Sequence, residues 1–159
     1  GREFGSFWVQ SVINSRRGRF MSDVSLPSNY RPNEKEKFMS AKQKEFFRQR
    51  LLGWRDELVR DAKDTIQNLQ EDDGQAPDIA DRATTESERS IELRTRDRQR
   101  KLVSKIDAAL DRIEDGSYGF CDDTGEPIGL KRLEARPIAT LSIEAQERHE
   151  RRERVYRDE

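Results

Sequence analysis

The sequence predicts a mainly α protein: a long antiparallel coiled-coil hairpin mounted on a small globular head that holds a β knuckle and a C-terminal helix. Three observations predict it. Apolar residues recur at spacings of three and four along two long stretches, a break at Gly74 and Pro77 separates those stretches, and after Gly116 the pattern turns to short extended pieces and turns. Composition agrees with this architecture. Of 159 residues only 32% are apolar and 40% are charged, which is too little apolar surface for one compact core. The wealth of Glu, Arg, Lys, Gln, Leu and Ala favours long solvated helices over disorder.

Several function classes lose support at once. The net charge of -1 argues against generic nucleic-acid binding, which shows as a basic excess over the whole domain. No run approaches the ~18 apolar residues of a membrane span, and Cys121 is the only cysteine, so no intramolecular disulfide can form. The chain is read as soluble and cytoplasmic. An enzyme is not expected either: there is no phosphate-binding glycine loop, no nearby Cys–His pairing and a single histidine.

Residues 1–39 are read as a tag or an extended N-terminal segment, because Pro27, Ser28, Asn29, Pro32 and Asn33 suit an extended lead-in. Ser40 caps the first arm of a hairpin spanning 40–115. Phe47, Leu51, Trp54, Leu58, Ala62, Thr65 or Ile66, and Leu69 share one helical face, and the arm ends near Gln70. The second arm starts around Asp78 or Asp81, carries Ile91, Leu102, Ile106, Ala109 or Leu110, and Ile113 on its seam, and stops at Gly116. Between Arg94 and Lys101 no residue is apolar. Registry about the turn sets that window beside Arg55 to Asp61, held by side-chain stems and ion pairs worth ~0 to 1 kcal/mol each. Most stability then comes from the apolar base. An arm of about 25 residues projects on the order of 37 Å, more than packing needs.

The head spans 116–159. Tyr118 to Cys121 and Glu126 to Gly129 flank the turn Asp122-Asp123-Thr124-Gly125 as a knuckle, packed through Tyr118, Phe120, Ile128, Leu130, Leu133 and Leu141. Lys131 to Arg136 forms a helical turn before Pro137, and Ser142 caps a last helix reaching about Tyr156, with Glu144 in its first turn. Cys121 is read as an inert packed thiol, since no second cysteine exists to resolve an oxidised one. His149 is read as a lone exposed residue of the last helix.

The hairpin is electrically bipolar. Its tip, near 71–83, reads Asp78-Ile79-Ala80-Asp81-Arg82-Ala83 after Asp72-Asp73-Gly74 and Pro77; seven acids face the single base Arg82 from Glu71 to Glu88. From Arg89 to Lys105 seven bases face only Glu92 and Asp97. By themselves, Asp78 and Asp81 are equally well read as ordinary helix-start carboxylates.

Three strings resemble the DksA/TraR family of bacterial regulators. They are the tip Asp78, Asp81 and Ala83; the shaft Ser90-Ile91-Glu92-Leu93-Arg94 with Asp97-Arg98 and Arg100-Lys101-Leu102; and Tyr118-Gly119-Phe120-Cys121 followed by Ile128 to Pro137. The resemblance covers about residues 40 to 157 and implies a non-enzymatic, monomeric regulator that enters the secondary channel of RNA polymerase and modulates initiation without sequence-specific DNA contacts. It implies that Asp78, Asp81 and Ala83 act at the tip and Arg98 on the shaft. Leu102, Lys105, Arg132 and Arg136 would help hold guanosine tetraphosphate (ppGpp), whose phosphates suit charge-assisted donors. Thr95 and Gln146 depart from the family's usual Asn and Lys, which implies a weaker nucleotide response.

The head departs further. The family's zinc finger uses four cysteines, whereas this chain has Cys121, Thr124, Ser142 and Ala145 at those positions: a degenerate zinc-finger-like knuckle. Two hydroxyls and a methyl do not replace three thiolates, and His149 with Asp122 and Asp123 would make an unusual site, so no zinc is expected. Two other readings use the same residues. A transcript-cleavage or elongation factor of the Gre type shares the acidic tip but not the head strings, and a structural coiled-coil scaffold would carry unbroken apolar heptads where Arg94 to Lys101 stands.

Overall fold

A computed structural model describes residues 24–71 and 79–157. The reversal at the hairpin tip, with Asp72, Asp73, Gly74, Pro77 and Asp78, lies outside the described residues, as do residues 1–23 of the segment read as a tag or extended lead-in. Two helices make the hairpin, α1 at Ala41–Glu71 and α2 at Ile79–Asp115. At ~1.5 Å per residue they run about 46 and 55 Å. The head adds α3 at Leu130–Ala135 and α4 at Ile143–Arg157. Both expected caps form: the Ser40 hydroxyl accepts the Gln43 N–H at 3.4 Å and the Ser142 hydroxyl accepts the Ala145 N–H at 3.2 Å.

Burial is confined to one end. Phe47 and Leu51 of α1 and Ile106, Ala109 and Ile113 of α2 are buried, and they share one core with Tyr118, Ile128, Leu130, Leu133 and Ala145 of the head. Phe47 and Tyr118 rings lie 5.7 Å apart, and the Tyr118 hydroxyl donates to the Pro137 carbonyl at 2.7 Å. Burial pushes the Tyr118 hydroxyl far above its ordinary pKa, so it stays a donor. Trp54 and Leu58 are only partly covered. Farther out, Ile91 and Leu93 are 62% and 57% exposed, so Ile91 does not belong to the seam the spacing predicts.

The register explains this. Arg55 Nε donates to Asp107 Oδ1 at 2.8 Å across the hairpin, and a groove farther out brings Leu58, Ala62 and Ile66 to Leu93, Asp97 and Val103. The polar window from Arg94 to Lys101 therefore lies beside Ala62 to Ile66, not beside Arg55 to Asp61. Symmetry about the turn fails because α2 is the longer arm. Its first turns run past the level at which α1 ends, and Ile91 has little opposite it. Ion pairing in the window is mostly within α2, where Asp97 holds Arg100 at 2.9 Å and Lys101 at 2.8 Å. Hydrogen bonds from Lys101, then Arg100, hold the Asp97 carboxyl below its ordinary range.

Residues 24–40 do more than lead in. Met39 is buried, and its N–H donates to Gln43 Oε1 at 2.8 Å while the Gln43 amide nitrogen donates to the Asn33 carbonyl at 3.1 Å. The segment packs on the knuckle: a Cβ at Gly119 would lie 3.1 Å from Met39 Cγ, and Gly119 has φ +87°. Only glycine suits that position. Instead of two strands, the knuckle holds one antiparallel bridge, Phe120 to Pro127, among the described residues. Cys121 N–H donates to the Glu126 carbonyl and Ile128 N–H to the Gly119 carbonyl, both at 2.8 Å, but Pro127 has no N–H with which to extend a ladder. Phe120, expected in the packing, is 37% exposed and meets Phe38 edge-on at 5.6 Å.

A base-loaded hairpin makes a sharp stability prediction. Leu51→Ala should lower unfolding free energy by about 2–5 kcal/mol, whereas Leu93→Ala should change it by less than about 0.5 kcal/mol. Urea unfolding followed by far-ultraviolet circular dichroism measures both, and equal losses would mean that the far shaft is packed.

Candidate functional site

Four regions carry the residues singled out in the sequence. At the outer end of α2, Asp81 occupies the first turn and is exposed, as is Ala83 two residues later. A carboxylate there is favoured by the helix dipole. The backbone carbonyls of both residues are engaged, by the Thr85 hydroxyl at 2.7 Å and the Ser87 hydroxyl at 3.0 Å, which leaves the side chains facing solvent.

Along the shaft, Asp97 neutralises Arg100 and Lys101, while Arg98 is exposed and makes no ion pair among the described residues. Arg94 and Arg96 likewise make no ion pair among the described residues, so Arg98 is one of several cations on this stretch of the shaft. Thr95 donates its hydroxyl to the Ile91 carbonyl at 3.0 Å, so its side chain is left with acceptor capacity only.

At the junction of shaft and head lies a cavity of about 170 Å³. Lys105 and Arg112 of α2 line it from one side, Arg132 of α3 and Arg136 just beyond it from another, and Gln146 of α4 from a third. Residues more than 25 positions apart in sequence meet here because the buried core beneath fixes α2 against the head. Lys105, Arg132 and Arg136 are therefore brought together as the resemblance implies. Leu102 is not; it packs against the buried cluster. Arg112 escaped the sequence reading, and the only signal for it was its place two helical turns after Lys105. No carboxylate lines the cavity. The Nε atoms of Arg112 and Arg132 are buried without a hydrogen-bond partner. Gln146 directs its amide nitrogen to Glu150 at 3.0 Å.

The knuckle shows what stands in place of four thiolates. Cys121 is buried, and its Sγ accepts the Ser142 N–H at 3.4 Å. Burial pushes this thiol up, but hydrogen bonds from the Ser142 N–H, the Thr124 hydroxyl and the Thr124 and Asp123 N–H groups together pull it down to about 6. Cys121 is packed as expected, yet it is held as a thiolate acceptor rather than as an apolar filler. The Ser142 hydroxyl is occupied by its cap, and the Ala145 methyl is buried. His149 is not alone either: its Nε2 lies 3.0 Å from Asp123 Oδ2, tying α4 to the knuckle. Among the described residues no group of three or more His, Cys, Asp or Glu is placed to hold a metal ion. No helix among them is long and apolar enough to cross a membrane.

Comparison with known proteins accounts for both halves of the chain. A family described as DnaK suppressor protein DksA, N-terminal domain, matches residues 43–113, and the prokaryotic dksA/traR C4-type zinc finger matches 116–151. A relative from Caulobacter vibrioides, named RNA polymerase-binding transcription factor DksA, is 62% identical over 83% of this chain and 93% of its own length. The protein of the same name from Escherichia coli K12 is 41% identical over 79% of this chain and 83% of its own length. A solved structure of transcription factor DksA2 from Pseudomonas aeruginosa superposes with a TM-score of 0.70 at 45% identity, covering 78% of this chain and 94% of the other. The zinc-finger match does not bring its metal site with it, since one thiol among hydroxyl and methyl neighbours does not fit a C4 centre. Shaft and head together match along most of their length, and the chain belongs to the DksA family.

Proposed function

We propose that this chain binds bacterial RNA polymerase as a non-enzymatic regulator. It reaches through the secondary channel with the acidic end of the hairpin and modulates initiation. The observation that carries the reading is the bare shaft: α2 runs unbroken from exposed Asp81 to the buried base, and Asp81 stands about 36 Å along the helix from Lys105. A packing role would not leave so much helix uncovered. An acidic end on a thin rod suits a narrow basic or metal-associated passage in a large partner, and its relatives are named for binding this polymerase.

The head stays outside, and the cavity of Lys105, Arg132 and Arg136 receives the phosphates of guanosine tetraphosphate at the interface. Charge-assisted donors converging on a cavity whose lining holds no carboxylate support this. The protein works as a cytoplasmic monomer without sequence-specific DNA contacts, and its head folds without zinc. A scaffold gains nothing from the structure, because the outer seam is exposed. A cleavage factor of the Gre type is disfavoured by the match across the head.

Asp81→Asn and Asp78→Asn should leave binding to core polymerase within about threefold of the parent while the effect on open-complex lifetime falls about tenfold, the equivalent of one charge-assisted hydrogen bond. Competition binding and promoter-complex decay read the two quantities; unchanged decay would remove the tip from the mechanism. Metal analysis of the purified protein should find well under one zinc per chain, and a chelator should leave its thermal midpoint where it was. One equivalent of tightly held zinc would end the metal-free reading. Ultraviolet absorbance near 240 nm should show a thiolate titrating at about 6, a step that Cys121→Ser abolishes. Because the folded value lies below the unfolded one, the stabilisation is complete above the ordinary thiol range and is lost as pH falls through about 6. Chemical unfolding at both ends of that window should show the parent's advantage over Cys121→Ser shrinking at the acid end.

A further inference from the structure

The cavity at the junction holds a cation that the proposed nucleotide contacts do not use. Arg112 lines it with Lys105, Arg132, Arg136 and Gln146, and its Nε is buried with no hydrogen-bond partner. Its guanidinium makes no ion pair or hydrogen bond among the described residues. Asp115, one helical turn on, is taken by the N–H and hydroxyl of Ser117, and Arg112 acts on it only through space; Asp111 and Glu114, nearer in sequence, make no ion pair with Arg112 among the described residues. A buried donor without an acceptor carries its full desolvation penalty. Two such donors, from Arg112 on α2 and Arg132 on α3, flank one space whose lining contains no carboxylate. That arrangement suits a compact anion with several oxygens.

Size narrows the ligand. The cavity, of about 170 Å³ and partly open to solvent, has room for a diphosphate group with the nucleoside left outside. We propose that Arg112 is a phosphate-holding residue of this cavity, gripping one diphosphate arm of the ligand together with Arg132 while the nucleoside lies outside. Arg112 thereby supplies the positive charge that Gln146 does not. The inference rests on the nucleotide reading of the cavity and adds to it a residue and a mode of entry.

The test titrates guanosine tetraphosphate into the complex of core polymerase with the full chain, with factor-free polymerase as the blank. Arg112→Gln should weaken nucleotide binding about tenfold, the scale of one lost charge-assisted hydrogen bond. Arg112→Lys should fall between, since it keeps the charge but loses the planar fork. Gln146→Lys placed on Arg112→Gln should restore part of the loss. Polymerase binding without nucleotide should not move, and the thermal midpoint of the free protein should not fall. Arg136→Ala separates the two levels of the argument. If it weakens the nucleotide while Arg112→Gln does not, the role of Arg112 is wrong and the cavity reading stands; if neither matters, both fall. A loss in Arg112→Gln that Gln146→Lys leaves unrepaired, or that comes with a lower midpoint, assigns Arg112 to the fold instead.

Discussion

Everything in this molecule depends on one packed junction, where Phe47 and Leu51 of one arm and Ile106, Ala109 and Ile113 of the other close over Tyr118 and Leu133 of the head. A chain that is 40% charged has little apolar surface to bury, and it gathers that surface at one end. The outer shaft is left with a partly covered groove and ion pairs along its own surface, each worth ~0 to 1 kcal/mol. Helix continuity then does the rest. Once α2 is fixed at the base, its direction is fixed for 37 residues, and the position of Asp81 in space is decided by contacts far from it.

The same junction includes the four positions that carry thiolates in a four-cysteine head, and it holds them by contacts of its own. Zinc ties two chain segments through four strong bonds to charged ligands. Here the segments are tied by smaller contributions that add. Cys121 Sγ collects donors from the knuckle turn and from the start of α4, Ser142 caps that helix, and Ala145 fills space. His149 reaches Asp123, and the Asp122 N–H donates to the Thr140 carbonyl at 2.9 Å. The N-terminal segment supplies more, because Met39 and Phe38 cover Gly119, where no side chain fits.

How much of this was legible in the sequence follows from the range of each signal. Local signals read well: Ser40 and Ser142 as caps, Gly116 and Pro137 as stops and the three-and-four spacing of Phe47, Leu51, Ile106 and Ile113 all act within a few residues of themselves. Ile91 read wrongly for an instructive reason. Its spacing belongs to the seam, but burial needs a partner helix opposite, and where α1 ends is not written near Ile91. The register failed likewise, since the reversal divides the arms unequally. Met39 was invisible because its burial comes from Gly119, 80 positions away. Arg132 and Arg136 were named through family likeness, whereas Arg112 needed the fold, since a basic residue near a helix end is ordinarily a solvated neighbour of the dipole.

The placement of the cavity has a mechanical consequence. Its walls come from α2, which carries the tip, and from α3, α4 and the loop between them, which belong to the head. Four like charges gathered there repel one another, and no carboxylate in the lining offsets them. An anion between them removes that repulsion and touches both parts at once. Its binding free energy therefore favours conformations in which shaft and head keep this spacing, and by linkage anything that holds the spacing favours the anion. A partner gripping the shaft on one side and the head on the other would do so. Coupling between cavity and partner then requires no movement of the tip: an anion that held α2 against the head would also hold Asp81, about 36 Å along the helix from Lys105, in its place.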